Sequence, residues 1–112
     1  SAPAEPSPGS AEARGQRVFQ LTGACGRCHS ITGTASQGKI GPDLTLFGDR
    51  STVGAGILDN TDENLRAWIR DVRSIKPITD DGGVAFMPTF KDTLSDAQVA
   101  DVTAYLKSLI LQ

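Results

Sequence analysis

The stretch Cys25-Gly26-Arg27-Cys28-His29 contains both cysteines and the only histidine of this 112-residue chain. A disulfide between the two thiols would close a very short loop, so it would restrict the unfolded chain only slightly. It would also leave the adjoining His29 unexplained. The stretch therefore indicates chemistry that uses the two thiols and the imidazole together.

Cys-x-x-Cys-His is the attachment signature of c-type haem. Thiols at this spacing reach the two vinyl groups on one edge of a porphyrin and form thioethers, and the following histidine can bind the iron. A structural zinc site usually takes four Cys or His ligands, and Cys25, Cys28 and His29 are the only ones in the chain. A thioredoxin-like redox pair would need a preceding strand and alternating βαβ elements, which the sequence does not indicate. The motif predicts one covalently attached haem c.

Met87 is the candidate for the second axial ligand of the iron. His29 is the only histidine, which excludes ligation by two histidines of the chain, and Met87 is the only methionine. It lies in a polar segment rich in Gly and Pro, where a gap-filling core methionine is less expected. An open sixth site, or a lysine such as Lys91, is the alternative. With both axial positions filled by the protein, the predicted activity is one-electron transfer rather than catalysis.

Length and composition indicate one small domain, 11–112, behind a Pro/Ala/Ser-rich linker or leader, 1–10. Hydrophobic residues make up 38% and aromatic residues 5%, so a large apolar cofactor would supplement a thin core. The formal charge is −2, which argues against binding to nucleic acid. No apolar run approaches the roughly 20 residues that cross a bilayer. Membrane attachment would therefore come through a domain or anchor outside this chain.

Capping residues and apolar periodicity predict a first helix over 11–22, with Ser10 as its N-cap and Gly23 as its C-cap. Gly15 lies inside this helix, where it costs about 1 kcal/mol relative to Ala. The close approach of another helix would explain it, and a surface glycine without a role is the alternative.

Two further helices follow a Gly- and Pro-rich segment, 30–56, that is predicted to be loop with short turns. The middle helix starts after Asn60 or Thr61. Its apolar stripe consists of Leu65, Trp68, Ile69 and Val72. The last helix begins at the capping box Ser95-Asp96-Ala97-Gln98. A turn at 80–83 is predicted between them, and no strand-rich region, so the fold class is all-α.

With these features in place, the chain resembles the class I cytochromes c from about residue 11 to residue 111. The motifs that carry the resemblance are Cys25 to His29, Gly41-Pro42-Asp43-Leu44, Met87-Pro88, Gly15 with Phe19, and Tyr105-Leu106. It implies a fold of about three main helices wrapped with loops around one covalent haem. It also implies that the first and last helices cross at Gly15, with Phe19 beside Tyr105.

The same resemblance implies roles for three more residues at the haem. The carbonyl of Pro42 should accept a hydrogen bond from the far ring nitrogen of His29, which fixes the tautomer. Arg50 should reach a haem propionate, since a buried carboxylate needs a paired cation. A solvated surface arginine is the alternative there. Trp68 should pack near the haem.

A narrower resemblance is to the cytochrome c domain fused to subunit II of haem–copper oxidases. It rests on Cys28-His29-Ser30-Ile31-Thr32-Gly33-Thr34, Gly41-Pro42-Asp43-Leu44-Thr45, Asn60-Thr61 and Leu65-Arg66-Ala67-Trp68-Ile69. It implies a periplasmic or outer-face domain that takes electrons from quinol–cytochrome c reductase or a small soluble carrier and passes them to a dinuclear copper centre. The chain departs from that family in lacking copper-domain ligands and in a longer loop over 78–86.

Two alternatives to an oxidase domain remain at this point. One is a free-standing soluble or tethered electron-carrier cytochrome c. The other is a haem sensor or catalytic domain with an open sixth site. That alternative would need a distal acid or base such as a histidine, and none remains beyond His29.

Overall fold

The computed structural model describes residues 3–54, 56–76 and 87–111, in which helices carry most of the regular structure. The elements in chain order are α1 (Ala11–Arg17), a π turn (Val18–Thr22), 3₁₀ turns (Cys25–Arg27 and Phe47–Asp49), β1 (Thr52–Val53), β2 (Leu58–Asp59), α2 (Asp62–Arg70), α3 (Val72–Ile75) and α4 (Asp96–Lys107). The turn predicted at 80–83 and the lengthened loop at 78–86 lie outside the described residues.

Side-chain oxygens cap the three longer helices where the sequence predicts. Ser10 accepts a hydrogen bond from the third residue of α1, and Thr61 does the same at α2. At α4 the Ser95 hydroxyl accepts from the backbone of Gln98 while the Gln98 side chain accepts from the backbone of Ser95. The three N-caps and the capping box are confirmed. Each is worth about 1 kcal/mol, because it satisfies backbone donors that the helix itself cannot pair.

The first helix changes character before it reaches the cysteines. The predicted helix over 11–22 is confirmed, but it is α-helical only to Arg17 and continues as a π turn over its last five residues, Val18–Thr22. There the turns widen, and the N–H of Gly23 reaches the carbonyl of Val18, five residues back, at 2.7 Å. The wider turn accommodates an extra residue before the chain turns towards Cys25.

α1 and α4 cross in direct backbone contact at Gly15. A Cβ placed there would lie 1.9 Å from the carbonyl oxygen of Asp101, so only glycine fits without moving the helices. One turn further on, Phe19 meets Tyr105 edge-on, with ring centroids 5.8 Å apart. Arg14 closes the same contact by donating to the Asp101 carboxylate at 3.1 Å. The predicted crossing and its aromatic pair are confirmed.

The middle helix is shorter than the apolar stripe suggested. α2 ends at Arg70 because Asp71 leaves the helical region, with φ −154° and ψ 74°. Val72 still reaches the core, but from the separate short helix α3. Leu109 is likewise buried although α4 stops two residues earlier.

A short antiparallel hairpin, β1–β2, was not predicted from the sequence. Thr52 pairs with Asp59 and Val53 with Leu58. Val53 is buried and Leu58 packs against the core, so the hairpin covers one edge of the helices. No helix of the described residues is long and apolar enough to span a membrane.

Candidate functional site

The Cys-x-x-Cys stretch forms a tight 3₁₀ turn directly after the π turn. Ala24 enters it in the left-handed region at φ 52°, which is uncommon for a residue with a side chain. The N–H groups of Cys28 and His29 then both donate to the carbonyl of Cys25, at 3.1 and 3.0 Å. Cys25 and Cys28 are free and half-buried. The turn therefore fixes the backbone on which the two thiols and the imidazole are carried.

Burial raises the pKa of the Cys25 thiol to about 11, and the neighbouring Cys28 adds to the rise. At neutral pH this thiol is therefore protonated. Reactive cysteines of thioredoxin-like pairs have the opposite property, a lowered pKa that maintains a thiolate. The environment of Cys25 does not favour redox chemistry of that kind.

A second loop runs beside the attachment turn and is fastened to it by backbone hydrogen bonds. The N–H of Gly38 donates to the carbonyl of Gly26 at 2.9 Å, and that of Gly41 to the carbonyl of Cys28 at 2.6 Å. Buried Ser36 fills the space above Gly26, where a Cβ would come within 2.6 Å of its hydroxyl oxygen. This pairing brings the Gly41-Pro42 segment to His29.

The His29 ring is held by one hydrogen bond and one close contact. Its Nδ1 lies 2.8 Å from the carbonyl oxygen of Pro42, as the resemblance implied. A carbonyl only accepts, so Nδ1 donates its proton to it, and in the neutral ring the lone pair is on Nε2. Gly41 lies against the ring edge, since a Cβ there would fall 2.5 Å from Cε1 of His29. The imidazole is thus oriented with Nε2 as the nitrogen that could bind a metal.

Met87, at the start of the last described segment, is half-buried and packs against the main core cluster. Its side chain is therefore placed at the edge of the apolar core. Residues 77–86, which lead up to it, lie outside the described part of the chain.

Trp68 and Arg50 have contacts that the sequence did not specify. Trp68 is half-buried and packs against the core from α2. Its ring lies under Gly54 of the hairpin, where a Cβ would come within 2.5 Å of Cη2. Exposed Arg50 donates from Nη2 to the carbonyl of Asp43 at 2.6 Å, and its guanidinium lies 5.7 Å from the centroid of the Phe47 ring.

The donor set of the site fits a covalently attached haem. The chain offers two half-buried free thiols at the required spacing, an imidazole whose Nε2 is not hydrogen-bonded to any described residue and the Met87 thioether, which packs against the core. These soft and borderline donors suit iron in a porphyrin. Within the described ranges, no three His, Cys, Asp or Glu side chains are grouped so that they could hold a metal ion.

Sequence reasoning missed Gly54, Ser36 and the contacts around Asp43. Gly54 is one of several glycines in 30–56, and this pattern predicts a loop but does not indicate that Gly54 packs against Trp68. Ser36 and Asp43 act through packing and hydrogen bonds between loops. Such contacts leave no periodicity in the sequence.

Comparison with known proteins identifies relatives for almost the whole chain. The model of the Cytochrome c family matches residues 12–109. The chain is 42% identical over 96 residues to cytochrome c oxidase subunit 2 from Alkalihalophilus pseudofirmus, which covers 86% of this chain and 25% of that protein. It is 38% identical over 94 residues to a nicotinate dehydrogenase polypeptide from Pseudomonas putida, covering 83% of this chain and 7% of that protein. The chain thus spans a quarter or less of the length of these curated relatives.

Among solved structures, a chain of SoxXA from P. pantotrophus superimposes with a TM-score of 0.61 at 25% sequence identity. The alignment covers 97% of this chain and 90% of that one. Together with the family match, this likeness confirms the fold that the sequence predicted.

Proposed function

The chain belongs to the cytochrome c family, whose members transfer electrons through covalently bound haem c. From this premise we propose that the chain passes single electrons to the dinuclear copper centre of a terminal haem–copper oxidase. The observation that carries the proposal is the 42% identity to cytochrome c oxidase subunit 2 over 96 residues. That relative links the domain to cytochrome c oxidase, and the copper centre as acceptor is our proposal.

Four side chains hold the cofactor in this proposal. Haem c, when bound, supplies an iron that gains and loses one electron. Cys25 and Cys28 would hold the porphyrin through thioethers, and Nε2 of His29 and the Met87 sulfur would bind its iron. With both of these ligands in place, small substrates would be kept from the metal. The domain is therefore a carrier and not an enzyme in its own right.

Three further residues serve the same site. The Pro42 carbonyl keeps Nδ1 of His29 protonated, which fixes the tautomer and raises the basicity of the ligand. Trp68 contributes an apolar wall, held in place by the hairpin. Arg50 has five N–H donors, of which one is used on the Asp43 carbonyl, so others remain for a propionate.

The charge around the attachment turn supports our proposal for the electron donor. Residues 13–42 contain four cations and no Asp or Glu, whereas the rest of the chain has seven cations against 13 acids. Arg27 and Lys39 are exposed and lie on the two loops that Gly26 and Gly38 join. This basic surface favours an electron donor with an acidic surface, either quinol–cytochrome c reductase or a small soluble carrier. As in the family it resembles, we place the domain in the periplasm or on the outer face of the membrane.

A second candidate is a carrier domain that accepts electrons from a dehydrogenase. It is favoured by the 38% identity to the nicotinate dehydrogenase polypeptide. In that case the flow of electrons into the domain starts from an organic substrate oxidised by a partner, and the oxidase copper centre is not the acceptor.

Stopped-flow mixing of the reduced protein with a copper-containing fragment of an oxidase subunit 2 tests the proposed acceptor. We expect reoxidation with a rate constant of about 10⁵–10⁷ M⁻¹s⁻¹, which is typical of specific protein association. Reoxidation no faster than by a copper protein unrelated to oxidases would contradict the proposal and favour the second candidate.

The axial ligation has its own test. Replacing Met87→Ala should remove the weak sulfur-to-iron band at the red edge of the ferric spectrum and lower the reduction potential. The control is Pro88→Ala, which changes the neighbouring exposed residue and keeps the thioether. Persistence of the band in Met87→Ala, or rapid carbon monoxide binding by the reduced wild type, would show that Met87 is not the ligand.

A further inference from the structure

The carbonyl that orients His29 belongs to a turn, Pro42–Thr45, that has no regular secondary structure. The carboxylate oxygen Oδ1 of Asp43 accepts the N–H of Thr45 at 2.8 Å. This is an Asx turn, in which the side chain of Asp43 accepts the N–H two residues further along the chain and mimics a backbone turn. This hydrogen bond begins at the residue after Pro42, so the geometry of the turn sets the direction of the Pro42 carbonyl.

The turn is also joined to the segment that follows His29. The N–H of Leu44 donates to the carbonyl of Ser30 at 2.9 Å. The Thr45 hydroxyl oxygen accepts the N–H of Thr32 at 2.9 Å and lies 3.2 Å from the Thr32 hydroxyl. His29 and Pro42 therefore lie on two neighbouring loop segments, which these hydrogen bonds join next to the His29–Pro42 contact.

Arg50 fastens the turn from the other side. Its Nη2 donates to the carbonyl of Asp43, the residue after Pro42, at 2.6 Å. The planar guanidinium lies over the Phe47 ring, and Phe47 is itself buried. Arg50 thus connects the turn to the core and restrains the position of a solvent-exposed loop.

From these contacts we propose that Asp43, Thr45 and Arg50 are positioning residues for His29, which act by locking the turn that presents the Pro42 carbonyl to Nδ1. The proposal rests on the proposed role of His29 as an axial ligand. A locked acceptor keeps the Nδ1–H bond formed continuously, and that bond increases the electron density that the imidazole donates to the metal. A loosened turn breaks the bond part of the time, weakens the donation and favours the reduced state.

The experiment measures the midpoint potential of the holoprotein and the solvent exchange of the His29 Nδ1 proton by NMR in the reduced state. Thr45→Val and Asp43→Ala each remove a hydrogen bond of the turn. We expect a raised midpoint potential and faster proton exchange, about fivefold in Thr45→Val, the factor that one lost neutral hydrogen bond gives, and more in Asp43→Ala, which loses a bond to a carboxylate. Asp43→Asn keeps the acceptor oxygen while losing the charge, so its proton should exchange much more slowly than that of Asp43→Ala and close to the wild-type rate.

Thr61→Val is the matched control, because the Thr61 hydroxyl also accepts one backbone N–H, but at the start of α2. This variant should lose stability and leave the potential and the exchange rate unchanged. The proposal is overturned if Thr45→Val and Asp43→Ala exchange at the wild-type rate, or if Thr61→Val shifts both readouts as much as they do. It is equally overturned if Asp43→Asn behaves like Asp43→Ala, since the charge and not the turn would then be responsible.

Failure of the underlying ligand assignment would look different. In that case the reduced wild type itself would lack the strongly shifted ring signals of an iron-bound histidine, before any variant is made. Wild-type histidine signals together with unresponsive turn variants would reject the positioning role and leave the ligand in place.

Discussion

Gly15→Ala is the sharpest test of how the helices hold this domain together. A methyl carbon at this position would lie 1.9 Å from the carbonyl oxygen of Asp101 and 2.8 Å from Cβ of Tyr105. Ordinary contact begins near 3.4 Å, so α1 and α4 would have to part by about 1.5 Å. The obstructing oxygen belongs to the backbone of a helix and cannot swing aside as a flexible side chain could.

The expected cost follows from three contributions. Overpacking of this kind costs about 1–3 kcal/mol. Separating the helices also weakens the edge-to-face contact of Phe19 and Tyr105, which is worth about 0.5–1.5 kcal/mol. The better helix propensity of Ala offsets about 1 kcal/mol. The net loss is about 2 kcal/mol, a large part of the roughly 5–15 kcal/mol that stabilises a domain of this size.

The assay is guanidinium denaturation of the holoprotein followed by far-ultraviolet circular dichroism. Gly9→Ala is the control, because no other heavy atom lies within 4 Å of its Cβ position and its φ is +79°. It should cost only the strain of a left-handed Ala, about 1–2 kcal/mol, offset by the reduced freedom of the unfolded chain. A Gly15→Ala variant as stable as the wild type would refute the close crossing, since Ala could then be accommodated without moving α4.

Three further predictions concern the site and its surface. Gly41→Ala would place a Cβ 2.5 Å from Cε1 of His29, so the ring should turn, lose its bond to the Pro42 carbonyl and shift the midpoint potential upwards. The pKa of Asp43 is lowered mainly by its hydrogen bonds to Thr45, so its stabilisation is present above 3.8, the ordinary value, and is lost as the pH falls through the lowered one. Denaturation at several pH values should therefore show Asp43→Asn less stable than the wild type at neutral pH and equal to it in strong acid. Oxidation of the reduced protein by hexacyanoferrate(III), an anion, should slow as salt is added despite the net charge of −2, because the reagent meets the basic surface near Arg27.

Each of these has an outcome that would contradict it. An unchanged potential in Gly41→Ala would mean that the ring does not need the glycine. A stability difference between wild type and Asp43→Asn that persists in strong acid would point to a packing effect instead of the charge. The double variant Arg27→Glu with Lys39→Glu should reverse the salt dependence, so that added salt speeds the oxidation. The double variant Arg66→Glu with Lys76→Glu, on α2 and after α3, changes the net charge equally and should leave the salt dependence unchanged. The same response from both pairs would show that only net charge matters.

Local signals account for what the sequence predicted correctly. The caps at Ser10 and Ser95 depend on residues within one helical turn, so their pattern can be read directly. Gly15 marked a close approach because it costs stability inside a helix without compensation there. The Cys25-to-His29 motif indicated the cofactor because haem chemistry fixes the spacing of its ligands.

The features that the sequence did not predict depend on contacts and backbone geometry that leave no recognisable pattern in the sequence. The change from α-helix to π turn at Val18 adds one residue without altering the apolar pattern. The hairpin has only two residues in each strand, too few for an alternation to be recognised. Arg50 was expected at a propionate on resemblance alone, and its bond to the Asp43 carbonyl could not have been inferred without the path of the loop.

The domain divides into two kinds of structure with different physical tasks. The crossing of α1 and α4 is close-packed and buries the aromatic pair, so it contributes to the free energy of unfolding. The orientation of His29 is set instead by loops in which backbone carbonyls, a glycine and an Asx turn act within a few ångströms of the ring. These contacts lie at the surface, and on our proposal they control how strongly the imidazole would donate to the metal. Substitutions of surface residues in the 41–50 loop can then change the redox potential while the α1–α4 crossing stays intact, because the crossing does not depend on the groups that orient the ring.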